Sequence, residues 1–251
     1  MKILANNEVI FDNIDTIVWD KDATIIDANY FWAEITKRRA DKVIAHYALN
    51  DKFYSEICIN MGLDTLTGKL IALSPVAVLS REEVLLSLHN KLLSLGVNSS
   101  EAENDKLFSQ VHSEFQDVAC DYIHLLPSVS DLILEFQKND ANQFIITSDI
   151  KENAILSVQK FDLEHCFAGV YGKHQFNEPK KTGIPLRKVI EENNLNPKTI
   201  LCIGDAEMDY LMAKNAGVDN VLLLGTGHTP LSYLQNLVKT AYSDLGCISV
   251  E

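Results

Sequence analysis

Two aspartates separated by one residue, Asp20 and Asp22, follow the apolar run Thr16-Ile-Val-Trp19. Side chains alternate along an extended segment, so both carboxylates can face one crevice while Lys21 between them faces away. Two carboxylates at that spacing repel, which raises one pKa unless a cation intervenes. A divalent metal resolves the conflict, and an oxygen-only ligand set favours magnesium. Taken alone the pair is a weak signal, for which a solvated turn with two acids is the commoner reading. Other polar groups stand in comparable places: Thr147-Ser148-Asp149 ends the run Gln143-Phe-Ile-Ile146, and Gly204-Asp205 ends Thr199-Ile-Leu-Cys-Ile203, with Asp209 one helical turn further on.

The elements that must position these groups can be read from the pattern around them. Unbroken apolar runs of this kind mark strands covered on both faces, and a fourth, Asn220-Val-Leu-Leu-Leu224, runs into Gly225-Thr-Gly227. Helical patterns lie between them at Ser128 to Lys138, Lys151 to Phe161, Pro185 to Asn193, and Asp209 to Ala216 before the stop at Gly217. Alternation of this kind predicts a three-layer, Rossmann-like α/β core with a parallel sheet. Such sheets bind ligands at the carboxyl ends of their strands, so the polar strand ends converge on one crevice.

From about Ala28 to Gln116 the alternation stops and helix follows helix. Ser80-Arg-Glu-Glu83 reads as a capping box opening a helix that runs to Leu95 before Gly96, and Ser100-Glu-Ala-Glu103 as a second. The prediction is an all-helical cap at residues 28–117, inserted into a core built from residues 1–27 and 118–251.

Composition narrows the partners. Lys and Arg total 22 against 35 Asp and Glu, a formal charge of −13, which disfavours nucleic acid and anionic membrane surfaces. An anionic substrate then requires a local reversal of sign from a few cations and a metal. The five cysteines contain no C-x-x-C pair, which predicts reduced core thiols. The amino terminus carries polar residues too early for a signal peptide, and apolar runs are too short to span a bilayer. A cytoplasmic, soluble protein, monomeric or a homodimer, is the expectation.

Together the motifs resemble the haloacid dehalogenase superfamily of phosphohydrolases over essentially the whole chain. WDKDATIID resembles its first motif, FIITSD its second, the Lys180 region its third, and CIGDAEMD its fourth. The resemblance implies that Asp20 is the nucleophile, forming an aspartyl-phosphate, and that Asp22 protonates the leaving alcohol and then deprotonates water. Superfamily dehalogenases lack that second Asp, so phosphate chemistry is favoured. Thr147 and the Ser148 amide would bind phosphate oxygens, although Thr147 could instead cap the helix from Lys151. Magnesium would be held by Asp20, Asp205 and the Asp22 carbonyl, with Asp209 behind them or acting through water; Asp209 also fits an ordinary acid in a first helical turn. Lys180 is preferred over Lys181 as the third-motif cation, by its spacing from Asp205.

The implied activity is that of a phosphatase acting on a small phosphorylated metabolite, phosphoglycolate or a sugar phosphate, with a phosphomutase or a catalytically weak phosphometabolite-binding protein as alternatives. The cap would close over the crevice and choose the leaving group. Ala23 departs from the motif, which has Gly there; a positive φ at that turn would cost Ala about 1 to 2 kcal/mol. Gly225-Thr-Gly-His228 reads as a strand-end loop, since a dinucleotide fingerprint needs more glycines and an acidic partner. Tyr30-Phe31-Trp32 reads as packing and Lys37-Arg38-Arg39 as a solvated helix face.

Overall fold

The chain opens with β1 (Ile3–Ala5) and β2 (Glu8–Phe11), then β3 (Thr16–Trp19). Helices α1 (Ala28–His46), α2 (Tyr54–Met61), α3 (Arg81–Ser94) and α4 (Glu101–Gln116) follow. Then come α5 (Val129–Lys138), β4 (Asn142–Ile146), α6 (Lys151–Gln159), β5 (Gly169–Tyr171), α7 (Ile184–Glu192) and β6 (Ile200–Gly204). The chain finishes with α8 (Glu207–Asn215), β7 (Asn220–Leu224), α9 (Leu231–Leu237), β8 (Ala241–Tyr242) and β9 (Ile248–Val250). This computed structural model describes residues 1–71, 81–116, 118–176 and 178–251; Ser80, the expected opening of a capping box, lies outside them. Contacts divide the chain into two units, Met1–Asp27 with His124–Glu251, and Ala28–Ile123.

The first unit is built on a six-stranded parallel sheet of order β5-β4-β3-β6-β7-β8. β3 lies at its centre, in register with β4 and β6 from Thr16↔Asn142 and Thr16↔Ile200 onward. Every residue of β3 and β6 is buried, which is why both read as unbroken apolar runs. Alternation sends their side chains to opposite faces. Val18, Phe144, Ile146, Ile200 and Cys202 pack with Leu186 and Val189 of α7, Met212 and Ala213 of α8, and Leu234 of α9. On the other face the Trp19 ring meets Phe136 of α5 edge-on at 5.8 Å, and Gln143 bridges the Trp19 indole N–H and the Ile133 carbonyl. Burying a glutamine between strand and helix is tolerable because both its polar atoms are satisfied.

A second, antiparallel sheet of order β2-β1-β9 ties the two chain ends together, Ile3 pairing with Val250. No local pattern in the sequence announces it. The five cysteines are free; burial is the first cause that pushes the Cys58 thiol up to about 11 and the Cys202 thiol up to about 12.

In the helical unit, α1, α2, α3 and α4 bury Val43, Ile57, Met61, Leu88, Leu92 and Phe108 against one another. At the start of α4 the Ser100 hydroxyl accepts from Glu103 N–H at 3.2 Å, one half of a capping box, and itself donates to the Glu103 carboxylate at 3.0 Å. Phe31 packs edge-on with Trp32 and Phe115. The basic run on α1 needs a correction. Lys37 and Arg38 pair with Glu34 on the surface, but Arg39 is only 8% exposed and lies over the Phe108 ring at 4.3 Å. Helical periodicity turns each successive residue by about 100°, so three adjacent basic residues cannot share one face. The chain stays with this unit past 118, because a short turn at Ala119–Tyr122 stacks Tyr122 against Tyr30 and Phe115.

Candidate active site

Asp20, Thr147, Asp205 and Gly225 each directly follow a strand, β3, β4, β6 and β7 in that order. The ladder continues one step beyond the strands, since Asp20 N–H donates to the Ile203 carbonyl at 2.8 Å and Thr147 N–H to the Tyr171 carbonyl at 3.0 Å. Side chains emerging there are set by the sheet itself and need no loop to order them.

Asp20, Asp205 and Asp209 form an acidic cluster: one carboxylate oxygen from each lies within 4.8 Å of the others. Lys180 is buried and donates to Asp20 Oδ1 at 2.5 Å, with Asp209 Oδ1 at 2.6 Å from the same ammonium. Lys181 is exposed, so the geometry turns Lys180 inward and Lys181 out. The second Asp209 oxygen accepts from the amides of Asp205 and Ala206 at 3.2 and 3.1 Å. Asp209 thus holds the turn that presents Asp205, and the close approach leaves no room for a side chain at Gly204, whose Cβ would fall 2.2 Å from Asp209 Cγ.

The electrostatics are unresolved by protein groups alone. Burial, opposed by Lys180 and reinforced by Asp209 and Asp22, pushes Asp20 up to about 7. Burial first, then Asp20 and Asp209, holds Asp205 well above the usual carboxylate range. One ammonium against three clustered carboxylates leaves a deficit of positive charge. An oxygen-only site with surplus negative charge fits a hard divalent cation.

The other residues singled out from the sequence are placed as follows. Thr147 is buried, and its Oγ1 accepts from Asp149 N–H at 3.0 Å, which leaves the hydroxyl proton free to donate elsewhere. Helix α6 is capped at Ile150 without a side-chain hydrogen bond, so Thr147 is not its cap. Ser148 is exposed and its hydroxyl points to Met208 Sδ at 3.5 Å. The Asp22 side chain stands apart from the three-carboxylate cluster; its Oδ1 is bound by Lys21 Nζ at 2.8 Å. Ala23 has φ +58°, the left-handed turn that favours glycine.

Sequence reasoning missed four residues here. Lys21, 1% exposed, also meets Asp149 Oδ2 at 3.1 Å. Thr226 donates its hydroxyl to the Ala23 carbonyl. Gly227 lies against Asp205, where a Cβ would stand 1.7 Å from Oδ2. The signal for the first pair was available in principle: a lysine buried just beyond a central strand needs a carboxylate, and Asp149 lies on the loop after the adjacent strand.

Residues 17–223 match the family model described as haloacid dehalogenase-like hydrolase. The chain belongs to this family. Among curated relatives, a phosphoglycolate phosphatase of Vibrio vulnificus (strain CMCP6) is 26% identical over 134 residues, 52% of this chain and 59% of that protein. The chain therefore matches less than two thirds of that relative's length. A phosphoglycolate phosphatase of Vibrio parahaemolyticus is 22% identical over 205 residues, 82% of this chain and 81% of that protein. The fold is shared with a predicted phosphoglycolate phosphatase from Haemophilus somnus, at TM-score 0.70 and 16% identity over 93% of this chain and 96% of that one. It is also shared with a protein of Thermotoga maritima provisionally named a beta-phosphoglucomutase, at TM-score 0.67 and 17% identity over 92% and 94% of the two chains. The Asp20, Asp205 and Asp209 cluster is the part of the site whose chemistry fits a metal.

Proposed function

We propose that this chain is a magnesium-dependent phosphatase that hydrolyses a small phosphorylated metabolite through an aspartyl-phosphate on Asp20. The observation that carries the reading is the buried Lys180 ammonium bound to Asp20 at the carboxyl end of the central strand, with Asp205 and Asp209 beside it. Lys180 engages Asp20 Oδ1, which leaves Oδ2 to attack phosphorus. In the first step the Asp20 oxygen–phosphorus bond forms, the bond from phosphorus to the leaving oxygen breaks, and Asp22 gives that oxygen its proton. In the second, water attacks the same phosphorus, Asp22 takes back a proton, and Asp20 leaves as a carboxylate. The Thr147 hydroxyl, oriented by the Asp149 amide, donates to a phosphate oxygen. Asp20, Asp205 and the Asp22 carbonyl would hold magnesium, with Asp209 orienting Asp205. Bound there, magnesium neutralises the carboxylates and the phosphate so that two anions can meet.

Two of the named relatives are phosphoglycolate phosphatases, which makes phosphoglycolate the first substrate to try and sugar phosphates the second. The test is phosphate release from a panel of such metabolites and p-nitrophenyl phosphate, with magnesium and with EDTA. Magnesium-dependent release that Asp20→Asn abolishes is the expected result. No release from any member by folded, magnesium-loaded protein overturns the reading, and glucose phosphate isomerisation without free phosphate replaces it with a phosphomutase.

A further inference from the structure

Lys21 is a lysine where the surroundings are otherwise closed to solvent. It is 1% exposed, at the end of a strand whose four residues are all buried, and desolvation opposes its charge. Such a residue persists only with strong partners. It has two, and they belong to different loops. Its ammonium lies 2.8 Å from Asp22 Oδ1, on its own loop, and 3.1 Å from Asp149 Oδ2, on the loop after β4.

Asp149 is the fixed end of this chain of contacts. Its Oδ1 accepts from Ile150 N–H at 2.7 Å and from the Asn153 amide at 3.0 Å, and Oδ2 also meets that amide at 3.1 Å. Its own N–H donates to Thr147 Oγ1 at 3.0 Å. A continuous path thus runs from the Asp22 carboxylate through Lys21 to Asp149 and on to the Thr147 hydroxyl. Asp22 itself sits before the left-handed turn at Ala23 on a short loop.

We infer that Lys21 and Asp149 are positioning residues: their ion pair clamps the Asp22 carboxylate in one orientation relative to Thr147, so that Asp22 reaches the leaving oxygen of a phosphate held by Thr147. The inference rests on the phosphatase reading and deepens it. Neither residue touches substrate. Proton transfer demands hydrogen-bond reach, and a carboxylate aimed from behind meets that demand at every turnover.

The clamp has a signature that simple loss of structure lacks. An alkyl phosphate needs its leaving oxygen protonated, whereas 2,4-dinitrophenolate leaves without help. The double variant Lys21→Met/Asp149→Asn removes both charges of that ion pair together, so neither is left without the other, while Asp22 loses the lysine that orients it. In magnesium-loaded protein, kcat/KM for the alkyl phosphate that the wild type hydrolyses fastest should fall about 10- to 100-fold, the range for lost orienting contacts. For 2,4-dinitrophenyl phosphate, kcat/KM should change less than about threefold, while a burst of dinitrophenolate appears because the second step still needs Asp22 as base. An equal fall for both substrates, or a fall for neither, overturns the clamp. If the double variant does not fold by circular dichroism, the near-isosteric Asp149→Asn takes its place: a selective fall for the alkyl phosphate supports the clamp, and an equal fall or none overturns it. A wild type inactive toward both substrates would instead defeat the phosphatase reading itself, which keeps the two failures apart.

Discussion

The Lys180 ammonium lies 2.5 Å from Asp20 Oδ1, across 160 residues of chain and inside the protein. Lys180→Met should therefore act twice. Removing one partner from a buried pair leaves Asp20 and Asp209 facing each other uncompensated, a loss of about 3 to 5 kcal/mol. Turnover should drop by at least about 100-fold, because the cation facing the developing negative charge is gone. The exposed Lys181→Met should stay within about twofold of wild type and within about 0.5 kcal/mol in stability. Phosphate release and thermal melts on the two variants check this; equal effects from both would remove the special role of Lys180.

Gly227→Ala separates the metal site from the fold. The added Cβ would meet Asp205 Oδ2 at 1.7 Å and Cγ at 2.7 Å, so the whole Asp205 carboxyl group must rotate away, which a side chain at a loop can do more readily than backbone can. What it cannot do is swing away and keep its place beside Asp20 and Asp209. The magnesium concentration for half-maximal activity should rise about 10-fold or more, with the melting temperature nearly unchanged in EDTA. A magnesium titration of activity reads the effect, and an unshifted midpoint would show that Asp205 is not a ligand.

Ala23→Gly should stabilise the protein. At φ +58° an L-residue crowds its own carbonyl, and glycine relieves that strain at some cost in chain entropy. A net gain of up to about 1 kcal/mol is expected, or about 2 to 4 °C in melting temperature for a chain of this size. The Thr226 hydroxyl bond to the Ala23 carbonyl holds the same turn, so Thr226→Val should cost about 1 kcal/mol. A lower melting temperature for Ala23→Gly would mean that the methyl packing outweighs the strain.

The metal-free protein should lose stability as pH rises through the range where the cluster ionises. Asp20 is pushed up to about 7, by burial first, and Asp205 is held well above the usual range. A raised carboxylate keeps its proton when folded at pH values where the unfolded chain has released it. The unfolded state then binds fewer protons, and stability falls with rising pH between about 4 and 7. Asp149, depressed by Lys21 against its own burial, contributes the opposite slope, but that contribution is complete above about pH 4. The melting-temperature gain on adding magnesium should thus be larger at pH 8 than at pH 5. A gain independent of pH would detach the metal from these carboxylates.

How far the sequence carries the structure depends on whether the information is local. β3 and β7 were readable to the residue, because an unbroken apolar run bounded by polar residues occupies a few positions and no more. Helix ends shifted by a residue or two, as where α6 begins at Lys151 as expected but ends at Gln159 instead of Phe161. β1, β9 and the three-residue β5 were not readable, since pairing Ile3 with Val250 is decided by two chain ends that share no local pattern. The site shows the same division. Residue type and spacing select Asp20 and Asp205 and favour Lys180 over Lys181, and packing buries Lys180 while leaving Lys181 exposed. The partnership of Lys21 with Asp149 depends on β3 and β4 being neighbours in the sheet.

Arg39 tests whether a buried charge in the helical unit is tolerated or used. Among the described residues its Nε has no hydrogen-bond partner, and its guanidinium rests on the Phe108 ring at 4.3 Å, which Arg81 approaches at 5.9 Å. Burial first, then Arg81, pushes its pKa down to about 10. A base with a lowered folded pKa is charged at a cost throughout the neutral range, and that cost is relieved only as pH rises toward 10. Contact with one aromatic face returns about 1 kcal/mol, less than the several kcal/mol that an unpaired buried ion requires. Arg39→Met keeps the apolar stem over Phe108 and removes the charge, so it should stabilise the chain by about 1 to 2 kcal/mol in thermal melts at pH 7. A fall in melting temperature would show that the guanidinium contributes more through the ring contact than its desolvation takes away.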